Sequence, residues 1–491
     1  MQPFWLLILA ILTYFIVQRS VADMTRTPVW LLWLVLMMPV VIWSLWTAKN
    51  GSNLPFMVAI GPLLVSCITY WVLFQWGRKS ESNKPNTPTK PEVQSVVNPT
   101  PQSLPSVRPL QGDEEQQLRN CFPWSVYYLQ NIEYLPQAVV CRGQLKTNST
   151  KAYQRIKHNI ENQFGDRFLI IFQEGFKGKP FFVLVPNSQA KKESNTPKDK
   201  LTRPILALAL LGTTLVTTTW MGALISGVEI EVLRANPQVI LQGLPYALGL
   251  MSILGVHELG HYLTARFYKI RTTLPYFIPI PFFLGTLGAF IQMRSPTPNR
   301  KALFDVSIAG PIAGFLFTVP LLLWGLAHSQ IVPLPSEQRG FIDPNALNPK
   351  YSFLLALAAK LVLGNQLNPQ SAIDLHPVGI AACLGLIVTA LNLIPVGQLD
   401  GGHIIHAMFG QRNAIVIGQI SRLLFLLLSF LQPGVFLWAI ILLFMSPMDE
   451  PALNDVTELD NKRDTLGLIA MAVLISIVFP LPQAIANFLQ F

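Results

Sequence analysis

A polytopic all-α membrane protein of about nine transmembrane helices, with one small α+β domain on the cytoplasmic side, is the fold class this sequence predicts. Three observations carry the prediction. Of 491 residues, 51% are hydrophobic and only 13% charged, about half the charged share of a soluble domain. The apolar residues gather in windows near the roughly 20 residues a helix needs to cross a hydrocarbon core. One long polar region interrupts them, and its second half alternates β-prone runs with a helical stretch. Disorder, a collagen repeat and a disulfide scaffold are excluded by this composition and by only four cysteines. Cys67 and Cys383 lie in apolar runs, which leaves Cys121 and Cys141 as the available pair and fixes no redox compartment. The net charge of +10 would suit nucleic acid, but the basic residues stand at the ends of apolar segments. Membrane topology accounts for them, and no nucleic-acid partner is expected.

The first three windows run from about Phe4 to Val17, Val29 to Trp46 and Leu54 to Trp76. The first lacks a basic leader and a small-residue cleavage site and reads as a retained anchor, and nothing in it resembles a transit peptide. The other six run from about Ile205 to Ile225, Val239 to Phe267, Leu303 to Ala327, Pro377 to Ile394, Leu423 to Met445 and Leu466 to Phe488. Pro433 and Gly434 make the eighth either a kinked span or a broken pair. Lys and Arg stay on the cytoplasmic side, so Arg19, Arg26, Arg78, Lys79, the basic run Lys191 to Arg203, and Arg266 to Lys301 set an outward N-terminus.

Composition divides the chain further. Residues 1–77 form a three-helix transmembrane region, and 78–112 a Pro-, Ser- and Asn-rich linker expected to be disordered. Residues 113–187 form the soluble α+β domain, with strands at Trp124 to Tyr128, Ala138 to Cys141, Phe168 to Phe172 and Phe181 to Val185 around a helix from Thr150 to Asn162. Its expected job is partner or substrate contact, against the blander reading of an appendage without a partner. A tether, 188–203, leads into the membrane-embedded core, 204–491.

Within the fifth window stands His257-Glu258-Leu259-Gly260-His261. Residues at i and i+4 share a helix face, so both imidazoles reach one ion while Glu258 stands beside them as base for water, a zinc-hydrolase signature. The alternative is a set of satisfied polar groups in a bundle core. Ionisable groups inside an apolar helix are costly unless paired or metal-bound, which favours function. A catalytic zinc wants three protein ligands and one open position. Asp305, Asp374 and Asp400 are the acids near span ends. His257 lies roughly 14 Å below the cytoplasmic end of its helix at 1.5 Å per residue. Asp400 ends a span running toward that side, Asp374 sits at the opposite face, and Asp305 reads as a helix-start cap or ion pair. Asp400 is therefore the expected third ligand. His403 and His406 stand near enough to compete, with His403 expected to orient the site and His406 to face water. Pro395, Gly397, Gly401 and Gly402 break the helix there, which membrane depth tolerates where backbone lines a cavity. Between the fifth and sixth windows, Leu274 to Ile291 is apolar but holds three prolines. It suits a re-entrant loop or short β-hairpin, either offering a strand edge to an unwound substrate or simply packing over the bundle.

At His257 to His261, at Gly285 to Phe290, and at Asn392 to His403 with its Asn-x-x-Pro and Leu-Asp-Gly elements, the sequence resembles the site-2 protease family of intramembrane zinc metalloproteases. The resemblance covers roughly Ile205 to Phe488 and is closer to the cyanobacterial and chloroplast branch. That branch carries a Gly-Asn-Leu-Arg motif in its soluble region, where this chain reads Gly143-Gln144-Leu145-Lys146. The resemblance implies a site-2 protease core at 204–491, zinc (Zn2+) on His257, His261 and Asp400, Glu258 activating water, and Asn392 assisting near the scissile bond. It implies membrane-spanning protein substrates, often anchored transcription regulators or anti-sigma factors, cut within or near the bilayer. It also implies a thylakoid membrane, whereas the missing transit peptide favours a bacterial inner membrane. No PDZ-like insertion separates the catalytic spans. The competing readings are a non-catalytic scaffold or chaperone of the same fold, which loss of a ligand or of the glutamate would signal, and none is missing, and a metal or ion transporter, whose inverted repeats are not seen. Oligomeric state is not legible.

Overall fold

The computed structural model describes residues 27–50, 112–135, 138–175, 178–187, 203–281, 284–333, 352–364, 371–431 and 435–480, with isolated positions between 14 and 76. The chain divides into two compact units, Met1–Ser103 and Leu104–Phe491. The first holds helix α1 (Val29–Asn50), apolar from Val29 to Trp46 with Pro39 inside and Lys49 in its last turn. Ser66 Oγ donates to the Val35 carbonyl at 2.7 Å and Trp43 Nε1 to the Val58 carbonyl at 2.9 Å. The windows expected at Phe4 to Val17 and Leu54 to Trp76 lie largely outside the described residues.

The second unit begins with the soluble domain: α2 (Gly112–Asn120), β1 (Tyr127–Leu135), β2 (Ala138–Leu145), α3 (Ser149–Phe164), β3 (Phe168–Glu174) and β4 (Pro180–Pro186). The strands form an antiparallel sheet in the order β1-β2-β4-β3. Asn148 caps α3 by accepting from the Thr150 amide, and Ala152, Tyr153, Ile156 and Ile160 form the helix's buried stripe. Phe172 and Phe182 stack at 4.1 Å in the core between helix and sheet. Cys121 and Cys141 are free and buried there, and burial pushes the Cys141 thiol up to about 12, which leaves it unreactive.

Two local readings need correction. The strand expected at Trp124 begins at Tyr127 and runs to Leu135, while Trp124 stands in a turn, 79% exposed. A bulge between Leu129 and Asn131 transfers the inward side from Tyr127 and Leu129 to Ile132, so no simple alternation marks the strand. Helix α2 was not expected, because its single apolar residue, Leu118, is the one it buries completely.

Gly143, first residue of the Gly143 to Lys146 stretch, lies under β1. A Cβ there would stand 2.2 Å from the Tyr128 carbonyl oxygen and 2.7 Å from the Tyr127 ring. The stretch is therefore a strand-packing element. Gly143→Ala is expected to destabilise the soluble domain by roughly 1 to 3 kcal/mol, seen as faster limited proteolysis between residues 113 and 187 of the full chain. Wild-type resistance would show that β1 can move aside.

The membrane core follows: α4 (Pro204–Ile225), α5 (Leu244–Phe267), β5 (Tyr276–Pro279), β6 (Thr286–Phe290), α6 (Arg300–Ala327), β7 (Gln330–Pro333), α7 (Phe353–Leu363), β8 (Ser371–Asp374), α8 (Pro377–Leu393), α9 (Asp400–Leu431), α10 (Phe436–Phe444) and α11 (Asn461–Val478). Among the described residues, five helices are long and apolar enough to cross a membrane: Val29–Trp46, Pro204–Ile225, Pro237–Phe267, Arg300–Ala327 and Asp400–Ser429. The expected nine are not confirmed, and two of the expected windows lie largely outside the described residues. Pro377–Leu393 is shorter than a full span, and α11 opens on the charged Asn461 to Asp464. The expected eighth window divides between the end of α9 and α10, with Pro433 and Gly434 outside the described residues. Helix α9 also begins 23 residues before that window and carries a left-handed Gly410 (φ 80°). The apolar α7 was missed because its 11 residues fall well short of a span.

Helices α5, α6 and α8 pack through small residues, which replace hydrophobic driving force where lipid is as apolar as the helices. A Cβ on Gly260 of α5 would stand 2.6 Å from the Ala309 carbonyl of α6, and one on Gly325 of α6 would stand 2.4 Å from the Gly379 Cα of α8. Backbone-to-backbone approach of these helices sets the frame of the site.

Candidate metal centre

Helix α5 presents His257 and His261 one turn apart, both buried, with Glu258 between them and also buried. Their Nε2 atoms stand 3.1 Å apart. Asp400 Oδ2 lies 3.4 Å from His257 Nε2 and 3.3 Å from His261 Nε2. Among the described residues, these three form the one group of such donors that could hold a metal ion.

The chain delivers Asp400 by a break. After α8, Ile394 to Leu399 leaves the helical path, with Gly397 in the left-handed region (φ 54°), where a Cβ would meet the Ser446 carbonyl at 2.1 Å. A Cβ on Gly401 would meet the Leu393 carbonyl at 2.0 Å, so the first turn of α9 lies directly on the end of α8. Asp400 opens that turn, where the helix's partial positive charge favours a carboxylate.

His261 is oriented from α6. Its Nδ1 lies 2.7 Å from the Val306 carbonyl oxygen. A carbonyl only accepts, so Nδ1 carries the hydrogen and Nε2 keeps its lone pair for a metal. Gly310 and Gly314 of α6 pass behind the two rings. The donor set fits zinc. Bonds of about 2.0 to 2.1 Å at a tetrahedral angle separate ligand atoms by about 3.3 to 3.4 Å, against the 3.1, 3.3 and 3.4 Å found here. Three protein donors also leave the fourth position that a catalytic zinc needs.

Asn392, in the last turn of α8, places Nδ2 3.1 Å from His257 Nε2, so it borders the donor cluster. Strand β6 packs against α5, the helix that carries Glu258. The hairpin predicted from Leu274 to Ile291 is formed by β5 and β6, antiparallel. Its turn is held to the helices by Thr217 Oγ1 donating to the Gly285 carbonyl (2.7 Å) and Tyr246 Oη donating to the Leu284 carbonyl (3.1 Å).

The other acids go elsewhere. Asp305 takes Arg463 at 2.7 and 2.6 Å and the Tyr268 hydroxyl at 2.5 Å, the ion pair its sequence position suggested. Asp374 ends β8 opposite Gln330. Neither His403 nor His406 belongs to the donor group. His406, expected to face water, is fully buried: Nδ1 lies 2.6 Å from Asp449 Oδ2 and Nε2 3.0 Å from Asp455 Oδ1. His403 Nδ1 lies 2.7 Å from Asp449 Oδ1. Sequence reasoning missed these acids, since Asp449 and Asp455 stand among Glu450, Glu458 and Asp460 in one polar stretch with nothing to single them out.

Peptidase family M50 matches residues 245–430, and the EGY3 middle domain matches residues 116–193. The chain is 29% identical over 392 residues to the Arabidopsis thaliana protein named probable zinc metalloprotease EGY2, chloroplastic, covering 77% of this chain and 68% of that one. It is 35% identical over 246 residues to probable zinc metalloprotease EGY1, chloroplastic, of Arabidopsis thaliana, covering 50% and 44%. It is 28% identical over 383 residues to probable zinc metalloprotease EGY3, chloroplastic, of Oryza sativa subsp. indica, covering 74% and 63%. The chain thus spans between 44% and 68% of the length of these relatives. No solved structure matches it.

Proposed function

We infer that this chain, whose residues 245–430 match peptidase family M50, is a member of that family and an intramembrane zinc metalloendopeptidase that cuts membrane-spanning proteins within or near the bilayer. The observation carrying the reading is the convergence of His257, His261 and Asp400 donor atoms at tetrahedral spacing beside a buried Glu258, inside apolar helices. His257, His261 and Asp400 would hold the zinc, which supplies a Lewis acid that polarises a carbonyl and acidifies water.

The remaining chemistry belongs to the chain. Glu258 takes the proton from the attacking water and returns it to the leaving amine, the acid–base role of a buried carboxylate. Asn392, at the edge of the donor group, donates a hydrogen bond to the substrate backbone or developing oxyanion, a role worth roughly 2.7 to 4 kcal/mol. Peptide bonds in a regular helix are hydrogen-bonded and crowded, so a substrate span must unwind before attack. An edge of the β5–β6 hairpin takes the unwound segment as an added strand, since β6 packs against α5, the helix that carries Glu258. The substrates are single-span proteins such as anchored transcription regulators or anti-sigma factors, and the host membrane is of the bacterial inner-membrane or thylakoid type, the latter favoured by the chloroplast relatives.

The test is zinc content of the purified full chain together with cleavage of a panel of single-span substrates. The expected result is about one zinc per chain and cleavage that chelation stops and added zinc restores. Zinc without cleavage across a broad panel would move the assignment to a non-catalytic scaffold, and no zinc at all would remove the metal centre.

A further inference from the structure

Between α10 and α11 runs a strap, Met445 to Asp460, that touches three parts of the molecule. Its middle lies parallel to the free edge of β3. The Phe172 amide donates to the Leu453 carbonyl at 2.7 Å, and the Asp455 amide donates to the Phe172 carbonyl at 2.9 Å. The side chains of Leu453 and Val456 pack against the core of the soluble domain. The other edge of the strap meets the start of α6, where the Leu453 amide donates to the Thr297 carbonyl (2.9 Å) and the Asn454 amide to the Pro298 carbonyl (3.1 Å). The strap is thus a shared strand, joining the soluble sheet to the helix that orients His261.

Its third contact is with α9. Asp449 and Asp455 occupy both ring nitrogens of His406, and Asp449 also meets His403. Asp400, His403 and His406 follow one another at three-residue steps, so each is the neighbour of the next along the helix and His403 stands between the other two. The Ile394 to Leu399 break precedes this stretch and Gly410 follows it, so its placement is set by what packs against its sides. A side contact from α6 completes the hold: the buried Arg300 Nε donates to the Ala407 carbonyl at 2.7 Å.

We propose that the strap couples the soluble domain to the metal centre, with Asp449 and Asp455 positioning His403 and His406 and thereby Asp400, so that the donor geometry depends on docking of Leu453 to Asp455 against β3. This rests on the metal-centre reading and deepens it by giving the soluble domain a regulatory role. His403, His406, Asp449 and Asp455 are positioning residues, since none is a member of the donor group. Removing one member of a buried charged cluster leaves the others unpaired, so displacement of the strap shifts the first turns of α9.

The test uses the full chain loaded with Co2+ in place of zinc, because the visible spectrum of bound cobalt reports ligand geometry independently of activity. Leu453→Asp weakens strap docking from a site outside the donor group. Asp455→Asn changes the cluster at nearly constant shape. Both variants are expected to alter the cobalt spectrum and to lower metal retention against a chelator by about 10- to 100-fold, the range for residues that orient ligands. Asp455→Glu, which keeps the carboxylate, is expected to restore much of the retention. The coupling is overturned if Leu453→Asp makes residues 113 to 187 protease-sensitive while spectrum and retention stay as in wild type. It is overturned equally if Asp455→Asn folds with an unchanged spectrum. Asp400→Ala is the reference: if it too leaves the cobalt spectrum unchanged, the metal-centre reading itself fails, a result distinct from failure of the coupling.

Discussion

Glu258→Gln is expected to retain about one zinc per chain and to lose cleavage by about 100- to 10,000-fold, the contribution of a positioned acid–base group. Retention follows from geometry. The three donor atoms that converge come from His257, His261 and Asp400, and Glu258 is not among them. The amide is nearly isosteric with the carboxyl, so a buried side chain between two histidines is replaced without a cavity. Loss follows from chemistry, because an amide neither accepts the proton of an attacking water nor returns one to the leaving amine. Elemental analysis of the purified variant and single-turnover cleavage of a single-span substrate separate the two effects. Intact cleavage would place the base elsewhere. Loss of zinc would make Glu258 a ligand or an essential support for one.

The two histidines and Glu258 were legible because the motif is local: i, i+1 and i+4 on one helix fix their relation before any tertiary contact is known. Asp400, 139 positions beyond His261, was reached by depth and by the side on which its span ends, which constrain where an acid can stand relative to His257. The hairpin between Leu274 and Ile291 was legible for a similar reason, since three prolines forbid the helix that apolar composition alone would suggest. Long-range pairings of polar groups carried no such mark. Nothing local in His406 announces Asp449 and Asp455, which lie 43 and 49 positions away. Taken alone it resembled a histidine at a helix surface. Strand β1 failed through its bulge, and the start of α9 at Asp400 was missed because the polar first half of that helix dilutes the apolar window that defines a span.

Gly310→Ala is expected to remove the metal without unfolding the core. A Cβ at Gly310 would stand 2.1 Å from His261 Nε2, 2.4 Å from Cδ2 and 2.6 Å from Cε1, so the methyl would occupy the place of the metal-binding nitrogen. The ring has little freedom to withdraw, because Nδ1 is held at 2.7 Å by the Val306 carbonyl, one turn earlier on the same helix. Moving the ring costs that hydrogen bond and the common donor point together; leaving it in place is sterically forbidden. The helix itself loses nothing, since alanine is favoured over glycine in a helix interior by about 1 kcal/mol. Gly314→Ala supplies the graded comparison: its Cβ would meet His257 Nδ1 at 3.1 Å, which a small side-chain shift relieves. Zinc content should therefore fall below detection in Gly310→Ala and remain close to wild type in Gly314→Ala, with thermal unfolding of both near that of wild type. Equal zinc in the two variants would mean that α6 does not press on His261 as described, and loss of folding in Gly310→Ala alone would assign the glycine to helix packing instead of to the metal centre.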